Sequence, residues 1–235
     1  MKDAIFAPKN RFVWSLLAFQ GGFVNVAGFL TVHLFVSHVT GLSGHAAIAI
    51  KNYDLKEALS FLMVPLFFLL GSFLSGFFVT VRRSRNQRPA YSSVMVLLAL
   101  IYASIAFSGD QSLLGNFGEP FHNFRDFVLL AALAFNCGAQ NALFTHYSNS
   151  IVRTTHLTGL TTDLGIGLAK MLFLKDHNEG PSNLLRVELI SSFLLGSIGS
   201  AVFLSQIGFL GFYFPAVVSL FTAFRLRGKD SKSHQ

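Results

Sequence analysis

The chain has 235 residues, of which 52% are hydrophobic and 12% charged, and 18 Lys and Arg against 11 Asp and Glu give it a net charge of +7. That composition excludes a soluble enzyme with its own catalytic domain and leaves room for one compact helical bundle with short loops. The positive excess gathers beside apolar segments, where it sets membrane orientation, so no nucleic-acid partner is implied.

Apolar segments run approximately over 12–35, 58–81, 91–107, 127–144, 184–204 and 207–224, each near the length needed to cross a bilayer as helix. The chain opens with Lys2, Lys9 and Arg11 ahead of the first of these, which reads as a spanning helix and not a cleaved leader, since no small-x-small site follows it. Two shorter pieces, about 39–50 and 157–173, are richer in Gly, Thr and His and read as broken or re-entrant half-helices. The fold expected is an all-α integral membrane protein forming a single membrane domain over 1–235, with about six transmembrane helices plus the two short ones.

The short pieces carry a repeat. Ser37-His38-Val39-Thr40-Gly41-Leu42 recurs as Thr155-His156-Leu157-Thr158-Gly159-Leu160, each time in a polar break. Gly22-x-x-Asn25 falls on Gly138-x-x-Asn141, and Gly71-Ser72-x-x-Ser75 on Gly196-Ser197-x-x-Ser200, in the same order. This spacing predicts two copies, about 12–108 and 124–225.

Basic clusters fix their relation. Lys2, Lys9 and Arg11, then Arg82, Arg83, Arg85 and Arg88, then Arg225, Arg227, Lys229 and Lys232 all fall on one side when six segments span and the short pieces do not. The positive-inside rule makes that side cytoplasmic, with both termini there. Three crossings per copy send the second copy in from the opposite face, a 3+3 inverted repeat of the kind that builds a midplane site in transporters. Lys51 and Lys56 fall outside in this arrangement and fit it less well.

Backbone that breaks at membrane depth must line protein or a wet cavity, which points to Thr40, Gly41, Thr158 and Gly159. A half-helix starting there presents free N–H groups to a solute, and a plain interhelical turn is the competing explanation. Asn25, Gln140 and Asn141 place amides within apolar helices, either bonding helices together or coordinating solute, as does Gln20. His38 and His45, and likewise His156 and Asp163, are spaced to share a helical face; ionisable groups in a membrane are costly and mark function, so His156 and Asp163 are the candidates for proton coupling. Neutral histidines bonding to the broken backbone would look the same.

His33, His38 and His45, with His146, His156 and Asp163, match no zinc spacing, so no metal or cofactor is expected. Cys137 is the single cysteine and reads as a buried structural thiol. The small-residue faces around Gly71 and Gly196 suit close helix packing, within the chain or in a homo-oligomer. No nucleophile elbow or phosphate loop is present, so no enzyme is expected, an intramembrane one being the catalytic alternative left open.

Gly138-Ala139-Gln140-Asn141-Ala142, continuing through Thr154-Thr155-His156-Leu157-Thr158-Gly159-Leu160-Thr161-Thr162-Asp163, resembles one motif of the YoaK-like family of multi-spanning membrane proteins of unknown function, and 22–41 is similar to its other motif. The resemblance implies a bacterial-type inner (plasma) membrane protein and supplies no substrate. This sequence departs from it at Asn25, where the family usually has an acidic residue, and at Leu42, where it usually has Asn. The functional expectation is therefore a transporter or channel for a small solute or ion, embedded in the lipid bilayer, with a membrane scaffold or assembly factor as the alternative.

Overall fold

The computed structural model describes residues 6–87, 89–119, 124–148 and 157–230. The helices are α1 Pro8–Val32, α2 Val39–Lys51, α3 Leu55–Gly76, α4 Tyr91–Asp110, α5 Phe124–Tyr147, α6 Leu157–Phe173, α7 Gly180–Ile207 and α8 Tyr213–Asp230. No strand occurs among the described residues. Helix α3 continues through a π-helical turn, Phe77–Val81, and a last α-turn, Arg82–Ser84.

The boundaries follow local chemistry. Helix α1 starts four residues before the apolar run because Pro8 occupies its first turn, where the missing N–H costs nothing. It stops at His33, whose left-handed backbone (φ 56°) closes the last turn with a bond from its own N–H to Phe29 O. The Asp54 carboxylate accepts from Glu57 N and caps α3, which runs on through Pro65. The segment expected over 207–224 begins later: Gly208 has φ 56° and ψ −137°, a conformation suited to glycine, and a 3-10 turn, Gly208–Phe212, precedes α8.

Among the described residues, five stretches are long and apolar enough to cross a membrane: Asn10–Val32, Leu55–Ser84, Tyr91–Asp110, Phe124–Tyr147 and the 51-residue His177–Arg227. The last contains α7 and α8, separated at the Gly208 turn. Leu62, Leu66, Leu69 and Phe73 of α3 and Leu195, Ile198 and Val202 of α7 form exposed apolar stripes. Such faces need a hydrocarbon solvent.

Two seams organise the bundle, and both are built from glycine. On the α1–α7 seam, Gly22 lies against the Phe193 carbonyl and Gly196 against the Phe19 carbonyl. On the α3–α5 seam, Gly71 lies against the Phe135 carbonyl and Gly138 against the Phe68 carbonyl. Each glycine lets the facing backbone come within touching distance. Ser72 Oγ adds a 3.1 Å bond to Gly138 O.

Contacts further along fix helix directions. Arg11, near the start of α1, pairs with Glu188, near the start of α7, so these helices run the same way. Two turns beyond the Gly71–Gly138 crossing, Thr80 meets His146, so α3 and α5 run the same way. Helix α5 opposes α1, because Trp14 packs on Phe144 and Tyr147 while Gln20 bonds to the earlier Gln140. Helix α4 opposes α5, since Tyr91 packs on Tyr147 while the Leu98 carbonyl accepts from the earlier Asn136 Nδ2. Phe209, ahead of α8, packs on Gly109 at the end of α4, and α8 then runs back along α4. The six long helices thus alternate in direction, and the start of α1, the end of α8 and Arg82, Arg83 and Arg85 share one end of the bundle. Helix α2 rests on α3 and α6 on α7.

Candidate functional site

At the end of α1 the chain folds back on itself. Asn25 is buried, and its Oδ1 accepts from Ser37 N at 3.2 Å and Ser37 Oγ at 2.8 Å. Val36 fills the space where Gly28 lacks a side chain. The first break is therefore clamped to α1, and His38 becomes the N-cap position of α2 without a side-chain capping bond. His38, Thr40 and Gly41 are exposed. A cavity of about 780 Å³ opens here, lined by His38 and Gly41 together with His33, His45, Asp54 and Glu57, and walled by phenylalanines including Phe29, Phe35 and Phe61. Phe29 and Phe35 stack with centroids 4.7 Å apart, and His45 tilts against Phe61 at 5.2 Å.

Of the second break, His156 lies outside the described residues, as do Thr154 and Thr155. Thr158 and Gly159 sit in the first turn of α6, Thr158 exposed and Gly159 half-buried, and Asp163 is half-buried one turn later. The Thr158 carbonyl accepts from Thr162 Oγ1 at 3.0 Å.

Between these ends lies a buried amide layer. Gln20 Nε2 donates to Gln140 Oε1 at 3.0 Å and to Ser219 Oγ at 3.0 Å. Gln140 Nε2 donates to Leu17 O at 3.2 Å, and Asn136 Nδ2 to Leu98 O at 3.3 Å. The Tyr102 hydroxyl, fully buried, faces both Gln20 and Asn136. Gln140 is thus tied into interhelical bonds joining α1, α5 and α8. Of this layer, the sequence argument singled out Gln20 and Gln140 but missed Asn136, Tyr102 and Ser219; their mid-segment positions level with Gln20 were the available signal.

Asn141 belongs elsewhere, in a cavity of about 590 Å³ on the α3–α5 seam with Ser75, Gly76, Thr80, Thr145 and His146. The Thr80 hydroxyl is 3.5 Å from His146 Nδ1. Thr80 lies in the π-helical turn, a local distortion common at functional positions. No group of three or more His, Cys, Asp or Glu among the described residues is arranged to hold a metal. Cys137 is buried.

Long apolar helices with unpartnered apolar stripes, packed around a buried amide layer, define an all-α integral membrane protein. Within that class the chain belongs to the family described as Protein of unknown function (DUF1275), whose model matches residues 13–224. No curated protein and no solved structure matches it.

Proposed function

We propose that the protein is a transporter or channel for a small solute or ion, built from six crossings arranged as a 3+3 inverted repeat, with both termini on the cytoplasmic side of the bacterial inner membrane. The repeat is supported by the two glycine seams: exchanging α1 for α5 and α7 for α3 turns one set of carbonyl contacts into the other. The orientation is supported by Arg82, Arg83 and Arg85 lying at the end of the bundle where α1 starts and α8 finishes.

The observation that carries the reading is a pair of polar cavities at opposite ends of the bundle, separated by the amide layer at Gln20 and Gln140. One lies where α1 ends, the other where α3 and α5 end. In this reading each polar break serves a mouth of the passage, and the amide layer is its closed middle. Asn25, His38, Thr40 and Gly41 belong to the outer mouth; Gln140, Asn141, His156, Thr158 and Gly159 serve the middle and inner part. His156 and Asp163 carry the coupling proton. The scaffold alternative loses support because Gly71 and Gly196, the centres of its oligomer faces, are spent against backbone inside the chain.

The test joins topology to flux. In a Cys137→Ala background, single cysteines at Ser43 and Thr161 are labelled from each side of oriented vesicles, and purified protein in liposomes is assayed for proton and solute movement. Ser43 labelled from outside, Thr161 from the cytoplasm and flux lost on His156→Gln or Asp163→Asn support the proposal. Labelling from one side only, or no flux of any ion or small solute, refutes it.

A further inference from the structure

The cavity on the α3–α5 seam carries more than the passage requires of it. Eight buried side-chain polar atoms lack a partner among the described residues, and four of them converge here: Ser75 Oγ, Asn141 Oδ1, Thr145 Oγ1 and His146 Nε2. Each such atom left without a bond forgoes the hydrogen bonds it would make to water and destabilises the fold. Four at one cavity of about 590 Å³ mark a place that something polar completes.

The donor and acceptor inventory selects the class of occupant. Asn141 Oδ1 only accepts, so the occupant must bring an N–H or O–H donor, which a bare anion lacks. The two hydroxyls donate and accept. None of the described lining residues is charged, and the charge of Arg83 bears on His146, which disfavours a cation. With Thr80 beside His146 Nδ1, the second ring nitrogen is the one left for the occupant.

We propose that this cavity binds a small uncharged solute that both donates and accepts hydrogen bonds, with the polarity of a primary amide. Its place in function rests on the passage reading, in which it is the inner mouth; its binding does not. On the opposite seam Ser200 matches Ser75 and also lacks a partner among the described residues, but the other three positions differ in residue or bonding. In the same register Phe29 and Leu30 stand where Thr145 and His146 do, and the Asn25 oxygen is taken by Ser37.

Gly76 supplies the reporter. It lines the cavity, and a Cβ built on it meets nothing within 4 Å, so Gly76→Cys adds a thiol without displacing a neighbour. Full-length Cys137→Ala/Gly76→Cys protein in nanodiscs is treated with a water-soluble methanethiosulfonate in the presence of acetamide, acetate or acetamidinium, three probes of one shape and different charge. Acetamide is expected to slow labelling at least threefold, the two ions to leave it unchanged, and Asn141→Ala or Thr145→Val to abolish the protection. Thr145→Val preserves shape, so it also guards against loss through misfolding.

A thiol that never reacts, protection absent with acetamide, protection retained in both variants, or equal protection by an ion overturns the proposal; protection by acetate alone would mean that Asn141 turns its amide nitrogen inward. Acetamide protection with no flux of any ion or small solute in liposomes would keep the site and sink the passage. Flux without protection would do the reverse.

Discussion

Replacing Gly71 with alanine puts a methyl group into the α3–α5 seam at its tightest point. The new Cβ overlaps the Phe135 carbonyl oxygen and stands 2.9 Å from Ala139 N, both backbone atoms that no side-chain rotation can move. Ordinary contact at about 3.5 Å returns only if the helices part by about 1.5 Å, and a gap of only about 0.5–1 Å already forfeits a quarter to a half of the dispersion energy of the facing atoms. Overpacking of this kind costs about 1–3 kcal/mol, against which alanine returns about 1 kcal/mol of helix propensity. Gly76→Ala, one turn on and facing open space, collects the propensity gain alone. The propensity gain is common to both, so the two variants should differ by the overpacking cost of about 1–3 kcal/mol, Gly71→Ala the less stable. Reversible unfolding of the purified protein in mixed micelles, followed by the fluorescence of Trp14, measures the difference. Gly138→Ala should cost less when added to Gly71→Ala than alone, because one separation serves both, whereas Gly196→Ala on the other seam should add within about 0.5 kcal/mol. Equal stability of Gly71→Ala and Gly76→Ala would refute the seam argument.

Two further outcomes follow from named contacts. Arg11 reaches both carboxylate oxygens of Glu188, with side chains 29% and 30% exposed, so a double-mutant cycle over Arg11→Ala and Glu188→Ala should give a coupling of about 0.5–1 kcal/mol. A coupling of zero would remove the pair from the forces that align α1 with α7. Asn25→Ala deletes the acceptor of two bonds from Ser37 and should raise amide exchange over 36–38 by tenfold or more, while Asn25→Asp keeps the acceptor and the protection. Unchanged exchange in Asn25→Ala would mean that Val36 against Gly28 holds the loop unaided.

Helix α6 was legible to the residue, and α2 to within one, because each follows a polar break with a sharp change of composition. The long helices were legible as apolar runs but not at their ends, which depend on Pro8, the Asp54 cap and the His33 and Gly208 backbones. Spacing alone recognised Gly71 and Gly196 as packing residues and left open whether the contact fell within the chain or between copies. The π-helical turn left no periodic trace, since it occupies only the last five residues of the apolar run over 58–81, too few to show a change of register. Within the candidate site, Asn25 and Asn141 stood out by their repeat, yet their opposite fates did not: the Asn25 oxygen is closed by Ser37, while Asn141 has no such bond among the described residues. Thr145 and His146 escaped a repeat-based search because only one copy carries them.

The seams also set a timetable. Arg11 and Glu188 are 177 positions apart, and the glycine contacts of α1 likewise await α7. At about 5–20 residues per second of synthesis, α1 waits on the order of ten to thirty seconds in the bilayer before its partner is made. During that interval its glycine groove is open to any other helix within reach, and Gln20 is open until Gln140 arrives with α5. Fidelity of assembly in this chain is therefore a race against neighbours, and it stays open until the last quarter of the protein, which holds α7, leaves the ribosome.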